Sequence, residues 1–156
     1  SIVFDLIVED YMLLAVPKKY MMLQKAEKRE GEKYPWMDIS MMPNEFIIQD
    51  NSCYVRQEID QIFEEYGKKL KPKMIVNSSM LAMQTLERGM GFCFISEVFL
   101  PYITNTKDID FFCIGKNKVK KTKTGIIYLK NKILSRQEKY CISVLKEKII
   151  NGEIGA

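Results

Sequence analysis

Apolar runs and amphipathic segments alternate along most of this chain, and the clearest example lies between residues 73 and 96. The apolar runs Met74–Val76 and Phe92–Ile95 enclose a segment whose apolar residues recur at helical spacing, and Gly89 and Gly91 follow that segment. An uninterrupted short apolar run is typical of a strand that is buried on both faces. Glycine accepts the positive φ that commonly ends a helix. The unit therefore predicts a strand, a helix that ends at Gly89, and a second strand.

Other apolar runs predict the remaining strands. Ile2–Val8 and Met12–Val16 predict either two strands or one bent strand, and Pro17 ends the second run. Further strands are predicted at Glu45–Gln49, Ile109–Ile114 and Thr124–Leu129.

Three more segments predict helices. One helix begins near Cys53 and ends at Gly67, and a short one begins at Ser96 and ends at Pro101. The S-x-x-E pattern from Ser135 to Glu138 is a capping box that opens the last helix. The apolar faces of the long helices consist of Val55, Ile59, Ile62, Phe63 and Tyr66 in the first, and of Cys141, Val144, Leu145 and Ile149 in the last. This alternation of strands and helices predicts an α/β domain with a largely parallel sheet.

The composition is that of a globular protein rather than a disordered or membrane-bound one. The 156 residues are 47% hydrophobic and 28% charged, a length that suits one moderate domain or two small lobes. No apolar segment approaches the length that spans a bilayer, so no membrane partner is expected. The net charge of +4 is too small and too dispersed to indicate nucleic-acid binding by itself. The lysines within residues 68–73 and 116–123 are therefore interpreted as solvated loops rather than as a phosphate or DNA patch.

The residue types restrict the chemistry. The chain has no histidine, the commonest general base and metal ligand, and no other catalytic constellation can be assembled, so an enzyme is not expected. The four cysteines form no C-x-x-C pair, so neither a zinc site nor another cofactor is expected. Cys93 and Cys113 lie in apolar runs, which indicates reduced thiols and a cytoplasmic location, and nothing at the start resembles an export signal. Cys53 lies near a helix start, where a thiolate would be favoured, although a partly buried thiol is the simpler interpretation.

Two polar loops are candidate ligand sites. Asp50-Asn51-Ser52-Cys53 follows one predicted strand and opens a helix, and Asn77-Ser78-Ser79 does the same after the next strand. In open α/β sheets, ligands bind at the edge where such loops lie, and helix N-termini favour anions. Serine and asparagine at these positions also act as ordinary helix caps, so capping alone and capping with ligand contact both remain open. Asp50 would repel an anion, which leaves the charge of a ligand open.

Taken in order, four stretches resemble the effector-binding domain (LysR substrate-binding domain) of LysR-type transcriptional regulators. They are Asp10–Pro17, Met37–Ile48, Arg56–Phe63 and Leu86–Ile95, the last of which matches the family's V-x-x-G-x-G-I-x-x-L-P signature with Ser96 in place of the usual proline. The resemblance implies a periplasmic-binding-protein-like (type II) two-lobe fold, with mixed, mostly parallel sheets flanked by helices. Residues 17–114 would form the second lobe, and residues 1–16 and 115–156 would be remnants of an incomplete first lobe. Those remnants would lack sheet partners, which predicts exposed apolar surface or a swapped, dimeric arrangement.

The resemblance also implies a function. A small-molecule effector of unknown identity, with a carboxylate or another anion as the class that helix N-termini favour, would bind between the lobes and close them. The chain would work as a homo-oligomer, and DNA would be contacted only through a helix-turn-helix domain outside these residues. The implied effector-binding residues are Asn51, Ser52, Cys53, Asn77, Ser78, Ser79, Phe94 and Ile95. A solute-binding protein of the same fold that serves transport, and an enzyme on a related framework, are the alternatives.

Overall fold

The computed structural model of the chain describes residues 1–152, and its strands and helices follow one another in the predicted order. The elements are β1 (Ile2–Pro17), β2 (Ile47–Gln49), α1 (Tyr54–Glu65), β3 (Met74–Val76), α2 (Ser79–Glu87), β4 (Cys93–Ser96), β5 (Ile109–Cys113), β6 (Lys121–Leu129) and α3 (Arg136–Ile150). Short 3-10 turns connect them, and the turn Glu97–Tyr102 stands where the short helix after Ser96 was predicted.

β1 is the strand on which the rest of the molecule is arranged. The two apolar runs near the N-terminus form a single strand of 16 residues, with a register shift between Leu6 and Val8. Residues 2–11 pair with β6, whereas residues 12–15 pair with β4 on one side and residues 13–17 pair with β5 on the other. One strand therefore runs from an outer ribbon into the centre of the core.

The prediction of a largely parallel sheet was wrong about strand direction. All three partners of β1 are antiparallel to it, and only the pairing of β2 with β3 is parallel among the named strands of the described residues. A continuous apolar run reports burial on both faces of a strand but carries no information about the direction of its neighbours. The α/β class itself, with mixed sheets flanked by helices, is confirmed.

The core forms on both faces of the inner half of β1. Met12, Leu14 and Val16 pack on the side of α1, together with a cluster of aromatic rings. Leu13 and Ala15 point to the opposite side and pack with residues of α2 and β4. The aromatic cluster consists of Phe46, Phe63, Phe92, Phe94 and Phe112, all 2% exposed or less. Strand alternation thus lets β1 bury a side chain at every position from 12 to 16.

The division of the chain into lobes stays a prediction, but the strand pairings suggest a different boundary. Residues 12–17 pair with β4 and β5 inside the core, whereas the sequence analysis assigned residues 1–16 to a first-lobe remnant. We therefore propose that the first-lobe remnant ends near Tyr11. Its second part, residues 115–156, contains β6 and α3, and residues 153–156 lie outside the described range.

The ribbon formed by residues 2–11 of β1 and by β6 leaves one apolar face open. Its exposed side chains are Ile2 (66%), Phe4 (46%), Leu6 (46%), Ile127 (62%) and Leu129 (62%). α3 contacts β1, and Lys146 Nζ lies 2.8 Å from Asp5 Oδ1, yet no described side chain of α3 is fully buried. Apolar surface is exposed on these segments as predicted, but the expectation that they lack sheet partners was wrong, because residues 2–11 of β1 pair with β6. None of the helices within residues 1–152 is long and apolar enough to cross a membrane.

Candidate functional site

The starts of α1 and α2 lie side by side. β2 and β3 are parallel neighbours, with Gln49 opposite Val76, so the loops that follow them leave the same edge. The Cys53 thiol donates a hydrogen bond to the Asn77 carbonyl oxygen at 3.6 Å. Gln49 Nε2 donates to Ser79 Oγ at 3.3 Å, which links the end of β2 to the first turn of α2. The two polar loops singled out in the sequence therefore converge at one place.

Within these loops the polar side chains have different tasks. Ser78 is the N-cap of α2, because its Oγ accepts a hydrogen bond from the Leu81 N–H at 3.2 Å. Cys53 occupies the N-cap position of α1 without a side-chain cap bond. The Asp50 carboxylate accepts from the hydroxyl and the N–H of Ser52, and these bonds lower the pKa of Asp50. Ser52 is therefore hydrogen-bonded within its own loop.

A cavity of about 140 Å³ lies between these helix starts and the ribbon. We call it the cleft. One wall comes from α1, α2, β4 and the turn after β4, and the other comes from β1 and β6. Its lining residues are Met12, Tyr54, Val55, Ser79, Met83, Phe94, Ile95, Ser96, Phe99, Thr122, Lys123 and Thr124. Pockets for drug-sized ligands have roughly 300–1,000 Å³, so the cleft suits a small ligand.

A buried carboxylate ties the two walls of the cleft together. Asp10 is 8% exposed, and its Oδ2 accepts hydrogen bonds from the Ser96 hydroxyl at 2.7 Å and the Val98 N–H at 2.6 Å. Its Oδ1 accepts from the Thr122 hydroxyl at 2.7 Å. The hydroxyls of Ser96 and Thr122 both donate hydrogen bonds to Asp10, so towards a ligand in the cleft they can act only as acceptors.

Gln49 presents an unpaired polar atom beside the start of α2. The side chain is fully buried, and Oε1 has no hydrogen-bond partner among the described residues. Leaving a buried acceptor unpaired costs about 1–3 kcal/mol. Such an atom is uncommon in a folded core, so its position next to Ser79 makes it a candidate for contact with a ligand.

Solved structures with this architecture include several from one family of regulators. The effector-binding domain of QuiR in complex with shikimate matches 99% of this chain and 66% of its own, with 15% identity and a TM-score of 0.67. The regulatory domain of CcmR from Synechocystis PCC6803, in complex with 2-PG, matches 97% of this chain and 68% of its own, with 13% identity and a TM-score of 0.70. HinK, a LysR family transcriptional regulator from Pseudomonas aeruginosa, matches 95% of this chain and 48% of its own, with 13% identity and a TM-score of 0.64. The chain has the fold of a LysR-family effector-binding domain.

These likenesses confirm the periplasmic-binding-protein-like (type II) fold that the sequence implied. At such low identity they concern the fold alone. No family model matches the sequence, and no curated protein matches it. The chain spans about two thirds of the QuiR and CcmR domain chains and about half of HinK.

The structure brings only part of the implied residue set into the cleft of this LysR-like fold. Ser79, Phe94 and Ile95 line it. The other implied residues stand around it without lining it, and they are Asn51, Ser52, Cys53, Asn77 and Ser78. Ser78 caps α2 and Cys53 contacts Asn77, so these residues shape the helix starts rather than the wall of the cavity.

Sequence reasoning missed most of the far wall. Thr122 and Lys123 fall in a stretch interpreted as a solvated loop, but they belong to β6 and face the cleft. Met83 lies in the helical segment before Gly89 and was not among the implied effector residues, yet it lines the cavity while being only 6% exposed. The alternation of lysine and threonine from residue 121 to 124 is the period-2 pattern of a half-buried strand, and it could have revealed β6.

A second, larger cavity of about 430 Å³ lies away from the cleft. Its lining includes Lys25, Arg29, Trp36, Asp38 and Met41. The Arg29 guanidinium stacks 3.6 Å from the centre of the Trp36 ring and pairs with Glu27 at 3.1 Å. None of the implied effector residues lines this cavity, and the start of neither α1 nor α2 bounds it, so we regard the cleft as the candidate site.

Proposed function

We propose that this chain is the effector-sensing part of a LysR-type transcriptional regulator and that a small molecule binds in the cleft. The observation that carries this proposal is the cleft itself, which lies between two converging helix starts and a ribbon in a fold known from regulatory effector-binding domains. QuiR and CcmR are described in complex with small molecules, which supports the same role for this chain.

A carboxylate or another small anion is the ligand class we propose. The first N–H groups of α2 carry partial positive charge, and Ser79 places that helix start in the wall of the cleft. Lys123 also lines the cleft, but its ammonium pairs with Glu9 at 3.7 Å, so the start of α2 is the main feature that favours an anion. Asp50 lies outside the lining and is turned onto Ser52, so its charge opposes an anion less than the sequence suggested.

The proposed mechanism is a change in the separation of the two walls. A ligand that contacts Ser79 on one wall and Thr124 on the other binds the closed arrangement more tightly than the open one. It therefore shifts the protein towards the closed arrangement. In a regulator this change would alter subunit geometry in a homo-oligomer and so the placement of a DNA-binding module outside these residues. A cytoplasmic location and a role without catalysis belong to the same proposal. The solved neighbours named above are regulatory proteins, which favours sensing over transport.

A thermal-shift panel tests this proposal. Small carboxylates, amino acids and inorganic anions are added to the chain, and the variant Thr124→Trp narrows the cleft from the ribbon side. Thr106→Trp, in an exposed turn, is the matched control. At about 100 times its Kd, a ligand that binds only the folded state adds about 2.7 kcal/mol to the free energy of unfolding.

We expect concentration-dependent stabilisation in the parent chain and in Thr106→Trp, and its loss in Thr124→Trp. Ser79→Ala should weaken the response, whereas Ser143→Ala, on the exposed face of α3, should not. Stabilisation that persists undiminished in Thr124→Trp would place the ligand elsewhere and refute the proposed site.

A further inference from the structure

The amide of Gln49 has one end that the fold does not satisfy. Nε2 donates to Ser79 Oγ at 3.3 Å, while Oε1 is buried without a partner among the described residues. The backbone carbonyl of Gln49 is satisfied separately, since it accepts from Arg56 Nη1 at 3.1 Å. The side chain is therefore not needed to complete the local backbone hydrogen bonding.

The unpaired oxygen lies next to a helix start that can hold an anion. At α2, the Leu81 N–H bonds to Ser78 Oγ and the Ala82 N–H bonds to the Ser78 carbonyl oxygen. The N–H groups of Ser79 and Met80 precede the first intrahelical bonds, so they are the donors that the helix leaves for a ligand. The backbone N–H groups that can bind an anion and the unpaired oxygen of Gln49 therefore both lie next to Ser79.

Two features of the site favour a ligand that carries a hydrogen-bond donor. Gln49 Oε1 can only accept, and the hydroxyls of Ser96 and Thr122, one on each wall of the cleft, donate to Asp10. Ser79 stands between the Gln49 amide and the cleft, and a change of its χ1 rotamer breaks only the long 3.3 Å bond. Gln49 itself does not line the cleft, so a ligand reaches its amide oxygen only when this rotation turns the Ser79 hydroxyl away from Nε2 and towards the ligand.

We propose that the effector is a small acid with a hydroxyl or ammonium group on the carbon next to its carboxylate, and that Gln49 Oε1 accepts a hydrogen bond from this group. The carboxylate takes the N–H groups of Ser79 and Met80. This inference rests on the proposed function, because it specifies the ligand of the same cleft. Gln49 then determines specificity, since an acid without the donor leaves the amide oxygen unpaired.

The test compares three acids with the same carbon skeleton, which are lactate, alanine and propionate. Their Kd values are measured by calorimetric titration on the chain and on Gln49→Met, which keeps the length of the side chain and removes both polar ends. We expect lactate or alanine to bind roughly tenfold more tightly than propionate, the effect of one well-placed hydrogen bond. In Gln49→Met this preference should disappear while the Kd of propionate stays unchanged.

Equal affinities in the parent chain, or a preference that persists in Gln49→Met, would overturn the inference and leave the proposed function intact. Binding of all three acids that survives Thr124→Trp would instead refute the cleft as the site. If none of the three binds, the inference falls, and the wider thermal-shift panel still decides the proposed function.

The Tm of Gln49→Met is an independent measurement. Gln49→Met removes the unpaired buried acceptor together with the long 3.3 Å bond from Nε2 to Ser79 Oγ, so the Tm should stay nearly unchanged or rise. A marked fall in the Tm would show that Gln49 supports the fold rather than the ligand, and would contradict the inference.

Discussion

At the scale of single residues, Asp10 holds together the place where β1 passes from the ribbon into the core. Its carboxylate accepts three hydrogen bonds, from Ser96, Val98 and Thr122, and is nearly buried. Hydrogen bonds to a charged group each stabilise by about 1.5–3 kcal/mol, and removing the acceptor leaves buried donors unpaired. Asp10 therefore matters for stability and for the geometry of the cleft.

We expect Asp10→Ala to lower the free energy of unfolding by about 2–4 kcal/mol in urea denaturation. The matched control is Asp5→Ala on the same strand, where the partly exposed pair with Lys146 should contribute less than about 1 kcal/mol. A loss in Asp10→Ala no larger than that in Asp5→Ala would contradict this interpretation of the network.

The cysteines provide a second residue-scale prediction. Burial raises the pKa of Cys93 to about 12 and that of Cys113 to about 11, and the Cys93 thiol donates to the Ala82 carbonyl oxygen at 3.1 Å. Because the thiolate is the reactive form, neither should react with a thiol reagent at pH 8 until the chain unfolds. Cys141 is exposed and should react at once. Rapid modification of Cys93 in the folded chain, detected by mass spectrometry, would contradict the packing around α2 and β4.

The sequence identified some cleft residues and not others for a physical reason. Ser79, Phe94 and Ile95 follow or end strands, and strand ends can be read locally from apolar runs. Thr122 lies 112 residues from its partner Asp10, and no local pattern reports a contact across that distance. Met83 is apolar and helically spaced, so its pattern does not distinguish a core position from a cavity wall.

At the scale of elements, local patterns predicted the helices more accurately than the sheet. The capping box at Ser135 and Glu138 is present as predicted, and α2 ends at Glu87, two residues before Gly89, whose φ is +69°. Strand pairing depends on residues far apart in sequence, so neither the continuity of β1 nor its antiparallel partners could be deduced from apolar runs. The apolar runs did locate the strands themselves.

A substitution at Gly91 tests how closely the segment before β4 approaches the segment before β2. A Cβ at this position would lie 2.3 Å from the Glu45 carbonyl oxygen, which also accepts the Phe92 N–H at 2.9 Å. Gly91→Ala must displace this backbone contact, and we expect a loss of about 1–3 kcal/mol in the free energy of unfolding.

Gly67→Ala is the control for Gly91→Ala, because it has a φ of +61° but open space around the added Cβ. Its loss should be about 1 kcal/mol, from backbone strain alone. If denaturant titration gave Gly91→Ala the smaller loss of the two, the close approach of the strands would be disproved.

At the scale of the whole molecule, the open apolar face of the ribbon predicts self-association of the chain in isolation. Phe4 lies opposite Ile127 in the register, and both are about half exposed. A two-stranded ribbon with an uncovered apolar face is marginally stable in water, so a second surface should cover it. Light scattering should give an average mass that rises with concentration above that of the monomer.

The double variant Phe4→Lys with Ile127→Lys should shift this equilibrium to the monomer with little change in Tm. Tyr140→Lys changes an exposed residue of α3 instead and should leave the association as it is. A concentration-independent monomer for the parent chain would contradict the expected self-association.

The most direct test of sensing in the cleft is ¹³C-methyl NMR of the methionines during titration with the carboxylate that stabilises the chain most. Met12 and Met83 line the cleft, Met41 lines the separate larger cavity, and Met37 is fully buried in the core. We predict that the methyl signals of Met12 and Met83 move with a common Kd while those of Met41 and Met37 stay in place. Movement of the Met41 signal, with Met12 and Met83 unchanged, would contradict binding in the cleft and the regulatory mechanism built on it.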